Sequence, residues 1–115
     1  MNPAPLDLTH YRGDDFDLSI TLKAGGVPLD LTGRTIVATV RDGRDMESAL
    51  LATFTIVNAD TLTDDGVVQL HLDGAVTLDF PIIAAWDLKV LTGTSPKTYV
   101  SGQFETDPDV RPEVP

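Results

Sequence analysis

The chain has 115 residues, the size of one ordinary domain, and contains no cysteine, which excludes disulfides, thiolate metal sites and thiol nucleophiles. Eighteen acidic residues against eight basic ones give a formal net charge of −10 at pH 7. This balance argues against direct binding to nucleic acid or to an anionic membrane surface, because both rest on Lys and Arg.

The acidic residues are mostly aspartate, with fifteen Asp against three Glu, and fourteen Thr accompany them. Aspartate favours turns and threonine favours strands, so this composition predicts strands joined by tight turns. Residues 1–5 lack the pattern of a signal peptide. The longest apolar run, Phe80 to Trp86, is far shorter than the ~20 residues that cross a bilayer, so we expect a soluble protein.

Apolar and polar residues alternate along most of the chain, which is the pattern of half-buried strands. The first run follows Pro3 and Pro5 and is expected to be an edge strand. Paired glycines, Gly25 and Gly26, predict a tight turn after the second run. The segment Ala75 to Phe80 is compatible with a short strand or with one helical turn. In chain order the alternating runs are 6–11, 16–22, 35–40, 51–57, 67–72, 86–91 and 97–106, with a short extended piece at 27–31 and polar loops at 42–48, 58–66 and 92–96.

Seven or eight strands with a turn about every ten residues predict an all-β fold, an antiparallel immunoglobulin-like β-sandwich. We expect the sandwich domain to span residues 1–107 and an extended, proline-rich C-terminal tail to span 108–115. Trp86 is the natural centre of the core. The residues predicted to be buried between the two sheets are Phe16, Leu18, Ile20, Leu22, Ile36, Val40, Phe54, Ile56, Val68, Leu70, Leu72, Trp86, Leu88 and Val90.

Candidate sites are sparse. Arg12-Gly13-Asp14 matches a tripeptide that some cell-surface receptors read, but Gly13-Asp14 is needed as a turn between two strands. His10 and His71 lie in predicted strands without zinc-ligand spacing, and we expect His71 to face solvent. We therefore predict no catalytic, cofactor-binding or metal-binding residues, no cofactor, and a protein that is not an enzyme.

Two aspartate clusters deserve comparison with calcium sites, which use carboxylate oxygens. Neither has the spacing of a known calcium loop, and aspartates in turns need no ion. Their members are Asp14, Asp15 and Asp17 in the first cluster, and Asp60, Asp64 and Asp65 in the second.

A carbohydrate-binding sandwich module is an alternative function, since such modules present aromatic side chains on a sheet face or loop. The chain has seven aromatic residues. Phe16, Phe54, Trp86 and Phe104 fall on core faces of the pattern. That leaves three candidates for exposure: Tyr11, Phe80 and Tyr99.

The order of motifs along the chain resembles the small immunoglobulin-like domains of tailed-bacteriophage virion proteins, in particular the N-terminal domain of phage baseplate upper proteins. The likeness covers the chain from Leu6 to about Asp107. The motifs that carry it are Gly13-Asp14-Asp15 before an alternating strand, the turn Leu31-Thr32-Gly33, the strand Asp65-Gly66-Val67-Val68-Gln69-Leu70-His71-Leu72, the strand Trp86-Asp87-Leu88-Lys89-Val90, and Tyr99-Val100-Ser101-Gly102-Gln103-Phe104 before an Asp-Pro tail.

This resemblance implies a non-enzymatic structural subunit of a phage particle, made in the bacterial host cytoplasm and incorporated into the virion. Its partners would be other virion structural proteins and further copies of itself, with no direct contact to nucleic acid or membrane. A baseplate, tail, neck or fibre-attachment adaptor is the first expectation, and a capsid decoration or head-fibre protein is the alternative. We expect the strand edges at Leu6–Tyr11 and Lys97–Thr106, together with the tail, to make the contacts.

Overall fold

The computed structural model describes residues 4–43, 49–78 and 80–107. The alternating runs of the sequence form strands there, because each strand buries one face and exposes the other. In chain order the elements are β1 (Ala4–Pro5), β2 (Leu8–Tyr11), β3 (Phe16–Thr21), β4 (Lys23–Ala24), β5 (Val27–Pro28), β6 (Thr35–Arg41), β7 (Leu50–Thr53), β8 (Thr55–Ile56), a 3-10 turn (Ala59–Thr61), β9 (Val67–Leu72), the one-turn helix α1 (Gly74–Thr77), β10 (Ile83–Thr92) and β11 (Ser95–Asp107).

The strands form two sheets that enclose the core. The larger sheet has the order β1-β11-β10-β6-β7, with β2 also paired to β11, and the smaller one has the order β3-β9-β8. Pairing is antiparallel except where β1 and β2 run parallel to β11. The strands β3, β9 and β8 occupy the places of strands B, E and D of an immunoglobulin domain, and β6, β10 and β11 those of C, F and G. The predicted immunoglobulin-like sandwich is therefore confirmed.

β4 and β5 pair with each other as a separate small hairpin, connected by a two-residue turn. Its turn residues, Gly25 and Gly26, have φ values of 62° and 82°. Two successive positive φ angles define the hairpin turn that glycine pairs favour, so the predicted tight turn is confirmed. The segment that the sequence left open between strand and helix forms the helical turn α1.

The predicted strand 51–57 divides between the two sheets. β7 pairs with β6 in the larger sheet, whereas β8 pairs with β9 in the smaller one. The switch occurs at Phe54, whose side chain is buried and whose amide donates to the carbonyl of Ala38 at 2.8 Å. A buried aromatic at the crossing point anchors the chain between the layers.

Trp86 lies at the centre of the core as predicted, 2% exposed, and its indole Nε1 donates to the carbonyl of Leu6 at 2.8 Å. Phe54 packs against its ring edge-on, with ring centroids 5.8 Å apart. The other predicted core residues are buried too, apart from four that are only half-buried: Phe16, Leu18, Ile20 and Ile56.

The expectation that Lys97–Thr106 is an exposed edge is wrong for most of its length. From Val100 onward, β11 lies between β10 on one side and β1 and β2 on the other. The first strands pair in parallel with β11, which alternation within one strand does not reveal. The predicted edge at Leu6–Tyr11 is confirmed in consequence, since β1 and β2 pair with β11 alone in the described part of the chain. The predicted tail, 108–115, and most of the predicted loop 42–48 lie outside the described residues.

Candidate interaction surfaces

Three aspartates of the two predicted clusters make side-chain hydrogen bonds: Asp15 and Asp65 to backbone amides, and Asp17 to a histidine. The Oδ1 of Asp15 accepts from the amide of Gly74 at 2.8 Å, and that of Asp65 from the amide of Val67 at 3.1 Å. The Asp65 bond closes a local turn, which is an ordinary role of aspartate, whereas the Asp15 bond joins the turn before β3 to the start of α1. Within residues 4–43, 49–78 and 80–107, no group of three or more His, Cys, Asp or Glu side chains is placed to hold a metal ion.

His71 lies between two carboxylates on the outer face of the smaller sheet. Its Nδ1 is 2.7 Å from Asp17 Oδ1, and its Nε2 is 2.8 Å from Asp73 Oδ1. Both ring nitrogens must carry a proton to donate to both carboxylates. The hydrogen bonds to Asp17 and then to Asp73 raise the pKa of His71 from 6.5 to about 9, so the ring is cationic at neutral pH.

The prediction that His71 faces the solvent side of the sheet is confirmed, and its side chain, 26% exposed, is in addition held by two ion pairs. Asp73 was within reach of sequence reasoning, because residues two apart on a strand share a face. Asp17 was not, since it faces His71 only through the register of β3 on β9.

His10 points inward from β2. It is 6% exposed and lies edge-on to Phe16, with ring centroids 5.3 Å apart. Its Nε2 has no hydrogen-bond partner within the described residues. Thr106 lies opposite His10 in the register of β2 on β11, and its buried Oγ1 likewise has no hydrogen-bond partner within the described residues. Packing against Phe16 and Phe104 accounts for the burial of the His10 ring.

Arg12 and Gly13 hold the turn before β3 against the turn around α1. The guanidinium of Arg12 donates to the carbonyls of Leu78 at 3.3 Å and Phe80 at 2.8 Å. The amide of Gly13 donates to Thr77 Oγ1 at 3.1 Å. The Arg-Gly-Asp tripeptide is thus part of a connection between the two sheets, and its arginine is engaged with backbone.

The aromatic side chains offer little flat surface. Of the three candidates for exposure, Tyr11 is 54% exposed, Tyr99 is half-buried against the core, and Phe80 is buried, which corrects the expectation for Phe80. The surrounding end of the sandwich carries other exposed apolar side chains. These are Leu78, Ile82 and Ile83, each more than half exposed.

Two shallow depressions lie on the outer faces of the sheets. The one on the larger sheet has a volume of about 150 Å³ and contains Asp87, which accepts from Lys89 Nζ at 2.9 Å and from Thr39 Oγ1 at 3.4 Å. The one on the smaller sheet has a volume of about 390 Å³ and lies between β3 and the residues that follow β8. It is lined by Asp17, Leu18, Ser19, Val57, Gln69 and Leu70.

The first strand fits closely over β11 at Gly102. A Cβ at that position would lie 2.1 Å from the Leu6 carbonyl oxygen. Glycine allows the backbone of Leu6 to approach, and the amide of Leu6 donates to the carbonyl of Ser101 at 3.0 Å. One edge of the larger sheet is therefore formed by β1 and β2, and β7 forms the other. In the smaller sheet the edge strands within the described residues are the six-residue β3 and the two-residue β8.

No family model matches this chain, and no curated protein matches it. Among solved structures it is similar to the extracellular fragment, including the stalk region, of novel immune-type receptor 11 from Ictalurus punctatus. The two share 10% sequence identity with a TM-score of 0.45, over 98% of this chain and 91% of that one. No helix within the described residues has the length and apolar character needed to span a membrane.

Proposed function

We propose that the chain is a non-enzymatic structural subunit of a tailed-phage particle that acts through protein–protein contacts repeated by symmetry. The observation that carries this proposal is the combination of open sheet edges with half-exposed apolar strand faces on a small domain. Backbone groups at such edges bind partner strands. Multivalent contact in a symmetric particle turns many weak contacts of this kind into stable attachment.

The kind of assembly follows from the resemblance. The turn at Gly13-Asp14-Asp15, the Trp86-Asp87 strand and the Gly102 strand follow one another as in immunoglobulin-like domains of phage virion proteins. The net charge of −10 supports docking against a basic face of a partner subunit and disfavours a place against the packaged genome.

The aromatic side chains favour this proposal over a carbohydrate-binding module. Sugar platforms need exposed aromatic faces, whereas Tyr11 is exposed here and the other aromatic residues are buried or half-buried. The cationic His71 is held between two carboxylates, one on β3 and one on the residue after β9, so its ring supports the pairing of these two strands.

The test is detection of the chain in particles. A tagged copy is expressed during phage growth, particles are purified on a density gradient, and the chain is measured by quantitative mass spectrometry. We expect a fixed copy number per particle, set by the particle's symmetry. An equally tagged and equally abundant cytosolic protein is the control and should stay out of the particle band. Absence of the chain from the particles would contradict the proposal.

Separating heads from tails before measurement distinguishes the two virion placements. Recovery with tails supports a baseplate, tail, neck or fibre-attachment adaptor. Recovery with heads alone supports the capsid decoration or head-fibre alternative.

A further inference from the structure

The edge of β3 presents unpaired backbone groups. β3 pairs with β9 alone within the described residues. On β9, the backbone N–H and C=O of Gln69 point toward the side of β8. The carbonyl accepts from Val57 N at 2.8 Å, and the amide donates to Asn58 Oδ1 at 3.0 Å. Because these backbone groups alternate in direction along a strand, the N–H and C=O groups of the even-numbered residues of β9 point toward β3.

The register then fixes which groups of β3 point outward. Even-numbered residues of β3 lie opposite even-numbered residues of β9, as in Leu18 opposite Leu70, and bond to them. The N–H and C=O groups of Asp17, Ser19 and Thr21 consequently point away from β9. We call this row the free β3 edge.

The apolar side of the same strand is also incompletely covered. Phe16, Leu18 and Ile20 face inward yet are half-exposed, whereas their partners on β9 are at most 3% exposed. β3 also contains no Pro and no Lys, two residues that commonly protect an edge from pairing, and its one charged residue, Asp17, is on the outer face and paired with His71. The half-exposed apolar side chains and the lack of these protecting residues both favour the addition of a further strand beside β3.

The C-terminal residues 108–114 have the sequence pattern of that neighbour. Pro108, Val110, Pro112 and Val114 are apolar, and the residues between them, Asp109, Arg111 and Glu113, are charged. An extended strand with this sequence has one apolar and one charged face. Its apolar face matches the half-exposed inner side of β3.

The positions of the prolines select the direction of pairing. In an antiparallel pair, opposite residues share a face and either both bond or both point away. With the apolar side inward, Asp109, Arg111 and Glu113 would bond to the free β3 edge, and both prolines would direct their nitrogens away from it. In a parallel pair the bonding set reverses, and the prolines would fall where donors are needed. The sequence therefore fits antiparallel addition.

A chain cannot supply this strand to its own β3. Asp107 lies beside Tyr11 in register, at the end of the sandwich where a four-residue connection, 12–15, leads from β2 into β3. The segment could follow its own β3 only in parallel. To pair antiparallel with its own β3, the segment would first have to reach the Thr21 end of that strand. That distance is about 20 Å, or roughly six residues at 3.3 Å each, and would leave almost no residues to pair.

We propose that residues 108–114 of one copy add as an antiparallel strand to the free β3 edge of a second copy. Arg111 opposite Asp17 is the register that places this cation beside a carboxylate of β3, the one that also accepts from His71. The same register places Glu113 opposite Asp15, whereas moving Arg111 by two residues in either direction would put Asp109 or Glu113 opposite Asp17. Ser19 then lies opposite Asp109, and Leu18 lies opposite Val110. This inference holds for the isolated protein and does not depend on the virion role.

Cross-linking tests the register directly, since the natural chain has no cysteine. Bonded antiparallel neighbours have Cα atoms about 5.5 Å apart, within the range that a disulfide spans. The double variant Ser19→Cys with Asp109→Cys should form a disulfide-linked dimer or ladder on a non-reducing gel. The matched control, Ser19→Cys with Val110→Cys, directs its two thiols to opposite faces and should remain mostly unlinked. Equal linking of both variants, no linking of the first, or a link within one chain would overturn the proposal.

A pair of proline variants tests the backbone bonds. Arg111→Pro removes a donor aimed at β3, whereas Val110→Pro adds a proline at a position whose nitrogen points away. Size-exclusion chromatography with light scattering should show self-association of the full-length chain that weakens at least about tenfold in Arg111→Pro and little in Val110→Pro. Arg111→Ala separates the loss of charge from the loss of the donor and should weaken association less than Arg111→Pro. A full-length chain that stays monomeric at every concentration, or association that survives deletion of residues 108–115, would overturn the proposal.

Discussion

Substitution of Gly102 by alanine tests how the first strand is seated on β11. The added methyl would lie 2.1 Å from the Leu6 carbonyl oxygen and 2.8 Å from Asp7 Oδ1. Carbon and oxygen atoms normally approach to about 3.5 Å, so the segment from Leu6 to Asp7 must move outward by about 1 Å or more.

That movement breaks three hydrogen bonds of known geometry. They join Leu6 N to the Ser101 carbonyl at 3.0 Å, Trp86 Nε1 to the Leu6 carbonyl at 2.8 Å, and Gln103 N to Asp7 Oδ1 at 2.9 Å. At about 1 kcal/mol each, their loss lowers the free energy of unfolding by roughly 3 kcal/mol. For a domain of this size, that is a large share of the total stability.

Urea denaturation followed by tryptophan fluorescence measures the effect, since Trp86 is the one tryptophan of the chain. The expected loss corresponds to a fall of roughly 1–3 M in the urea midpoint. The control is Gly93→Ala, where the added methyl meets no atom within 4 Å but the φ of 65° remains. The left-handed backbone alone should cost about 1 kcal/mol there. A Gly102→Ala variant no less stable than Gly93→Ala would refute the close approach of Leu6.

Three further outcomes follow from the structure. Trp86→Ala should lower the free energy of unfolding by roughly 3–5 kcal/mol in the same urea assay, and a loss below about 1 kcal/mol would contradict its place at the centre of the core. The raised pKa of His71 means that its protonated form stabilises the fold, with the full contribution present below pH 6.5 and lost as the pH rises through about 9. Urea midpoints should fall over that interval in the natural chain and change less in His71→Gln, and equal pH dependence of the two would contradict the clamp. Millimolar calcium or EDTA should leave Tm unchanged, whereas a Tm that rises with calcium concentration would contradict the turn-forming role of the aspartates.

Local sequence patterns predicted the strands well. Alternation identified the strands around Leu18, Val68 and Leu88, and the Gly25-Gly26 pair identified the hairpin turn, because both signals depend on neighbours in the chain. Trp86 was placed correctly because a single tryptophan in an alternating strand has few other positions in so small a core.

Pairing between distant segments was the part that sequence patterns could not provide. The parallel placement of the first strand on β11, the sheet switch at Phe54 and the contact of Asp17 with His71 all depend on register. The same limit explains the wrong assignment of Lys97–Thr106 as an edge. It also explains why the half-exposure of Leu18 was unexpected, since an inward side chain is covered only if a strand lies on each side of its own.

That the chain works through its strand edges is tested most directly by residue-resolved amide hydrogen exchange on β3. The full-length chain at a concentration where it associates is compared with the chain lacking residues 108–115. Amides of Leu18 and Ile20, which bond to β9, should exchange slowly in both samples and serve as the internal control. Amides of Asp17 and Ser19 should exchange quickly in the truncated chain and become protected in the full-length assembly, and equally fast exchange of these two amides in both samples would contradict the account.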